Sequence, residues 1–263
     1  MDDLDDREAL LRGIFADPDS DLPRLVFADW LDERGEAAWA ELIRVQCEVE
    51  RMRGGQLLDG STSPFRKRES ELFFDLWPEF ADRLEAPFPD RGFLPATVIA
   101  ASAELLGDPV AFRRTAILDH PEWYGCTALK VVRGLIVGGK PIRTILTSPV
   151  TERVTELDLS GVVVTFGEPV EAADDSAFGL LREYEYRPAV TVQAVQALVD
   201  AREARRLTTL DLRNNDLDND AARAIVHSPN LIRLKSLQLF DGNQLRGRTW
   251  QQLLERFGPD VLQ

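Results

Sequence analysis

The spacing of apolar residues changes along the chain. Between residues 4 and 52 they recur every three or four positions, which puts a stripe on one face of an α-helix. Three helices are expected there. The first covers about 4–16 and stops at Asp17-Pro18, where proline blocks continuation. The second covers about 21–34, with Leu22, Leu25, Val26, Trp30 and Leu31 on its buried side and Gly35 ending it. The third, about 36–52, aligns Trp39, Leu42, Ile43, Gln46, Val49 and Glu50. A turn-rich run at 54–64 follows. Another helical pattern over 65–85 passes through Leu72, Phe73, Leu76, Trp77, Phe80 and Leu84, bent at Pro78.

Beyond residue 90 the pattern becomes a repeat. The run LTTLDLRNNDL matches L-x-x-L-x-L-x-x-N-x-L at Leu207, Leu210, Leu212, Asn215 and Leu217. The next copy has Leu234, Leu237 and Leu239, then one extra residue before Asn243 and Leu245. Two earlier copies begin at Val154 and Cys126, with Val162 and Gly134 where the asparagine belongs. Residues 91–100 supply a degenerate first strand, with 102–118 as its helix. Helices are expected near 142–147, 190–205, 221–227 and 250–257. Copies start at 126, 154, 207 and 234, so one interval is nearly double. That interval holds residues 166–187, with six acids against two bases and no second L-x-L strand, and it is read as an acidic loop insertion.

A strand–helix unit cannot bury its apolar side alone, so such units stack. The expected fold class is therefore α/β: a short leucine-rich-repeat solenoid of about four or five degenerate repeats behind an N-terminal all-α helical module. The run TWQQLLERFG at 249–258 reads as its terminating helix, with Thr249 and Gln252 as a capping box and Gly258 as the stop.

Residues 7–52 carry the run LVFADWLDERG followed by AELIRVQ, with RGF at 91–93 and LLERFG at 253–258 further on. This combination resembles the bacterial repeat-companion domain, a short helical module at the N-terminus of many repeat proteins. That family has no established activity, so the resemblance implies architecture and no chemistry. It divides the chain into a repeat-companion domain at 1–53, a linker and bridging helix at 54–90, and a leucine-rich-repeat domain at 91–263. The acidic insertion and the missing early asparagines depart from the pattern.

Asp and Glu number 45 against 31 Lys and Arg, a net charge of -14. Residues 1–50 alone carry 15 acids and 5 bases. The short basic runs Arg66-Lys67-Arg68 and Arg202/Arg205/Arg206 are read as solvated helix faces, and no nucleic-acid partner is expected. The start MDDLDD lacks a signal-peptide pattern, and no apolar run approaches a membrane span. Cys47 and Cys126 read as buried free thiols, which suits a cytoplasmic protein.

Chemistry-bearing motifs are few. GLIVGGKP at 134–141 satisfies G-x-x-x-x-G-K, but Pro141 replaces the hydroxyl that would hold magnesium. A nucleotide-dependent switch or enzyme built on 134–140 is the alternative function. The glycines equally fit a strand-to-helix turn. His120 and His227 lie far apart, so no metal site is expected, and no cofactor. Asp29 and Arg44 are expected to form a partly buried ion pair fixing how two helices dock.

The expected function is a non-enzymatic protein–protein interaction module: a scaffold, adaptor or regulatory subunit, monomeric alone or part of a hetero-complex. Its partner is expected on the concave repeat face and on the acidic insertion. The outward strand positions are Ala128, Lys130 and Val132; Glu156, Asp158 and Ser160; Thr209, Asp211 and Arg213; and Ser236, Gln238 and Phe240. This mixture of charges with one aromatic suits a protein better than a polyanion.

Overall fold

A computed structural model describes residues 3–54, 64–78, 90–94, 96, 98–133, 139–161, 163–166, 185–188 and 190–262. The chain divides into two compact units, one of residues 1–97 with 114–125 and one of 98–113 with 126–263. No helix among the described residues is long and apolar enough to cross a membrane.

The first unit is built from α1 (Asp3–Ala16), α2 (Leu22–Asp32), α3 (Ala37–Gly54) and α4 (Pro64–Leu76), each packed on the next. Phe15, Phe27, Trp39 and Phe93 form an aromatic cluster with ring centroids 5.3–6.1 Å apart. Arg7 lies 5.1 Å from the Trp39 ring centroid and bonds Glu36 at 2.7 Å. The RGF turn docks here because Gly92 N donates to Gln46 Oε1 at 2.6 Å and Trp39 Nε1 donates to Gly92 O at 2.7 Å. With φ at 92°, and a Cβ that would stand 2.2 Å from Ile43 Cγ1, position 92 has room only for glycine. Gln46 also donates to the buried Glu69 at 2.9 Å, which ties α4 to α3.

One expectation needs correction. Helix α2 buries Arg24, Phe27, Ala28 and Leu31, while Leu22, Leu25 and Val26 are exposed. The Phe27 ring, anchored on Trp39 and Phe93, sets the rotation of the helix and turns three smaller aliphatics to water. The segment 79–89, which held the second half of the expected 65–85 helix, lies outside the described residues.

The second unit is a mixed α/β layer around an open five-stranded parallel sheet, in the order β1 (Val98–Ser102), β2 (Ala128–Arg133), β3 (Glu156–Asp158), β6 (Thr209–Asp211) and β7 (Ser236–Gln238). Helices follow the strands: α5 (Ala103–Leu106) and α6 (Pro109–Leu118) after β1, α7 (Lys140–Thr147) after β2, α8 (Val192–Asp200) before β6, α9 (Asn219–His227) after β6 and α10 (Arg248–Phe257) after β7. The α6 helix contributes residues 109–113 to this unit and 114–118 to the first. Pairing aligns Ile99, Leu129, Leu157, Leu210 and Leu237 in one row, each 1% exposed or less. Leu159, Leu212 and Leu239 form a second buried row. Helices α8 and α9 start on side-chain caps: Thr191 accepts from Ala194 N, and Asp218 from Asp220 N and Ala221 N.

Strand β3 pairs directly with β6, so no strand of the long interval comes between them. Its ends, β4 (Val163–Phe166) and β5 (Glu185–Pro188), form a separate antiparallel pair, and 167–184 lie outside the described residues.

The chain end covers the last strand, with Leu237 N donating to Val261 O at 2.7 Å and Leu262 bridging Leu237. Leu253 is fully buried. The expected Thr249–Gln252 capping box is absent. Helix α10 begins at Arg248 after Gly247, so Thr249 lies inside the first turn and is buried.

Leu210→Ala and Leu237→Ala should each lower stability by about 2–5 kcal/mol, since each leaves a cavity in a closed row. Denaturant midpoints indistinguishable from the parent protein would contradict this packing.

Candidate functional site

Alternation along each strand points the leucine row inward and the intervening residues outward. Register aligns Ala128, Glu156, Thr209 and Ser236 in one outward row, and Lys130, Asp158, Asp211 and Gln238 in the next. Asp158 and Asp211 are therefore neighbours, a like-charge pairing that destabilises a sheet unless it is compensated. Each acid has its own cation. Lys130 Nζ lies 3.1 Å from Asp158 Oδ2, and Arg213 forks onto Asp211 with Nε donating at 3.0 Å and Nη2 at 2.6 Å.

Asp158 is fixed further by Ser160, whose backbone N and Oγ donate to its Oδ1 at 2.9 and 2.6 Å. Burial pushes the Asp158 pKa up, but the two Ser160 bonds and Lys130 outweigh it and hold the carboxyl below the usual range. Arg213 is held above its ordinary value, chiefly by its bonds to Asp211.

Glu156, Thr209, Ser236 and Gln238 differ. Among the described residues their side chains make no hydrogen bond or ion pair, yet all four stand at outward register positions. Glu156 is exposed and the other three are partly exposed. Phe240 is occupied, its ring meeting Trp250 edge-on with centroids 4.0 Å apart. Val132 belongs to β2, and its side chain lies outside the described residues.

The remaining sequence candidates are dispersed. Residues 134–138 of the glycine-rich run lie outside the described residues. Gly139 caps α7, Lys140 opens it exposed, and Pro141 is buried. His120 stacks on Trp123 at 4.7 Å, and its bond to Glu122 raises its pKa; His227 closes α9. Cys47 is buried, its thiol pushed up to about 12 by burial, which keeps it protonated near neutrality; Cys126 is also buried, and neither forms a disulfide. Among the described residues no cluster of His, Cys, Asp or Glu is placed to hold a metal ion. Arg44 pairs with Asp29 at 2.7 Å and also with Asp32 at 2.6 Å. The Asp29 side chain is 75% exposed, so this pair sits at the surface rather than partly buried.

The basic runs are not simple solvated faces. Arg66 bonds the buried Glu69, and Arg68 forks onto Glu41. Arg206 donates to three backbone carbonyls, of Val154, Leu146 and Ile145. No sequence period marks such roles, because they depend on which carbonyls lack a partner.

No family model, curated protein or solved structure matches the chain.

The bonds to Asp158 give a titration test. A depressed pKa contributes stability above the ordinary aspartate value, lost as pH falls through the lowered one. Ser160→Ala should move the Asp158 carboxyl titration upward by NMR and shift that loss to higher pH. An unchanged titration would show that the hydroxyl does not hold the carboxylate.

Proposed function

We propose that the protein is a non-enzymatic interaction module that binds a protein partner through the outward strand positions of its parallel sheet. The observation that carries this reading is the polar set Glu156, Thr209, Ser236 and Gln238, unengaged among the described residues, beside charges already neutralised by neighbours. A surface of this kind offers directional hydrogen bonds without first breaking internal ion pairs. Lys130–Asp158 and Asp211–Arg213 add opposite charges in fixed places, which favours selectivity over bulk attraction.

The second unit is read as a short leucine-rich-repeat solenoid. Support comes from the steps between paired leucines, 28 residues from Leu129 to Leu157 and 27 from Leu210 to Leu237, and from Asn215 and Asn243 at the turns. The first unit, with its docked RGF turn, is read as a module of the repeat-companion kind. Buried thiols at Cys47 and Cys126 suit a reducing, cytoplasmic compartment.

Photo-crosslinking residues placed singly at Glu156, Thr209 and Ser236 should capture the same protein from the native host. Placed at Gln196 and Arg223, on exposed helix positions, they should not. Adducts confined to the helix positions, or none at the strand positions, would overturn this assignment.

A further inference from the structure

Arginines recur where the chain enters successive strands: Arg153, Arg206 and Arg233 stand just before Val154, Leu207 and Leu234. In the second unit a structural task falls to such arginines, because the last carbonyls of the helix one strand–helix step earlier need donors. Arg206 performs it for α7 by donating to Ile145 O and Leu146 O, and burial lowers its pKa. Arg256 performs it for α9 by donating to Ile225 O, Val226 O and Ser228 O.

The end of α8 is served differently. Ser228 Oγ donates to Val199 O at 2.7 Å, and Asn230 Nδ2 donates to the same oxygen at 3.1 Å. Arg233 is thereby released from the role of its counterpart and is exposed. It lines one surface pocket with Arg202, Arg205, Arg206, Glu203 and Ile232. Among the described residues none of these four arginines has a carboxylate within ion-pair distance, although the chain carries a net charge of -14. Among the described residues Arg205 makes one bond, from Nε to Asn230 Oδ1 at 3.0 Å, and Arg202 and Arg233 make none.

We infer that this pocket binds an acidic peptide segment, adjacent carboxylates next to an apolar side chain, through Arg202 and Arg233 at its rim. Free guanidinium groups match carboxylates bidentately, and Arg205 keeps further donors beyond its single bond. Ile232, 66% exposed among the arginines, provides the apolar contact. Glu203 in the same lining opposes a continuous polyanion, and the acidic chain repels one at a distance. A short acidic segment fits both constraints. The site lies at the turns entering the strands and does not depend on the outward strand row.

The test uses the full chain and a fluorescein-labelled peptide containing the run Asp-Glu-Glu-Leu, followed by fluorescence anisotropy. Saturable binding is expected, weakened about tenfold or more by Arg202→Glu with Arg233→Glu. Lys67→Glu with Arg248→Glu, the same charge change elsewhere, should leave it within about twofold. Matching unfolding midpoints for the two double variants would show that both fold. No saturable binding, equal weakening by both double variants, or tighter binding of a uridine oligonucleotide of equal charge would each overturn the proposal.

Discussion

Stacked parallel strands leave each turn with backbone groups that face the neighbouring unit, and an unsatisfied buried amide or carbonyl costs about 1–3 kcal/mol. Two asparagines meet that demand. The Asn215 side chain donates to Leu159 O, Leu212 O and Arg213 O at 2.9–3.1 Å and accepts from Val190 N at 3.3 Å. Asn243 accepts from Asn215 N and Leu217 N and donates to Leu212 O and Leu239 O. Each amide spans its own turn and the one before it. The asparagines therefore fix not only local turns but the register between units, and the leucine rows follow from that register.

Register also decides what faces outward. A slip of one residue would exchange the leucines for Lys130, Asp158 and Asp211, so the buried rows and the polar face are one choice. Close turns reinforce it. Asn214 and Asp216 take positive φ, and a Cβ on Gly242 would fall 2.3 Å from Asn214 Oδ1. With the turns locked, the outward charges keep neighbours close enough to neutralise one another, while Glu156, Thr209, Ser236 and Gln238 make no side-chain bond among the described residues.

The parts of this arrangement that follow a period were legible in the chain. Leucines at two-residue spacing located three of the five strands and Leu129 with Val131 a fourth, and Asn215 announced its turn; Asn243 does the same work despite the extra residue before it. The rotation of α2 was not legible, because counting apolar residues gives Leu22, Leu25 and Val26 the weight of Phe27, while packing volume does not. Thr249 resembled a cap from its spacing to Gln252, yet α10 begins one residue earlier. The arginines were hardest. Arg206 and Arg233 occupy equivalent positions, and only Ser228 and Asn230, bonded to the end of α8, separate a structural arginine from one with no bond among the described residues. The candidate outward residues follow from the alternation of the leucines, but their pairings, and the contact of Phe240 with Trp250, depend on the tertiary structure.

The turn asparagines couple β6 and β7 to each other and to the turn after β3. Amide hydrogen exchange of Asn215→Ala against the parent protein tests this coupling most directly. Faster exchange is expected at Val190, whose amide donates to Asn215, and beyond the turn at Leu159, Gly161 and Leu212, whose amides bond across to the neighbouring strand segments. Loss of protection confined to residues 214–217, with Leu159 and Leu212 unchanged, would contradict it.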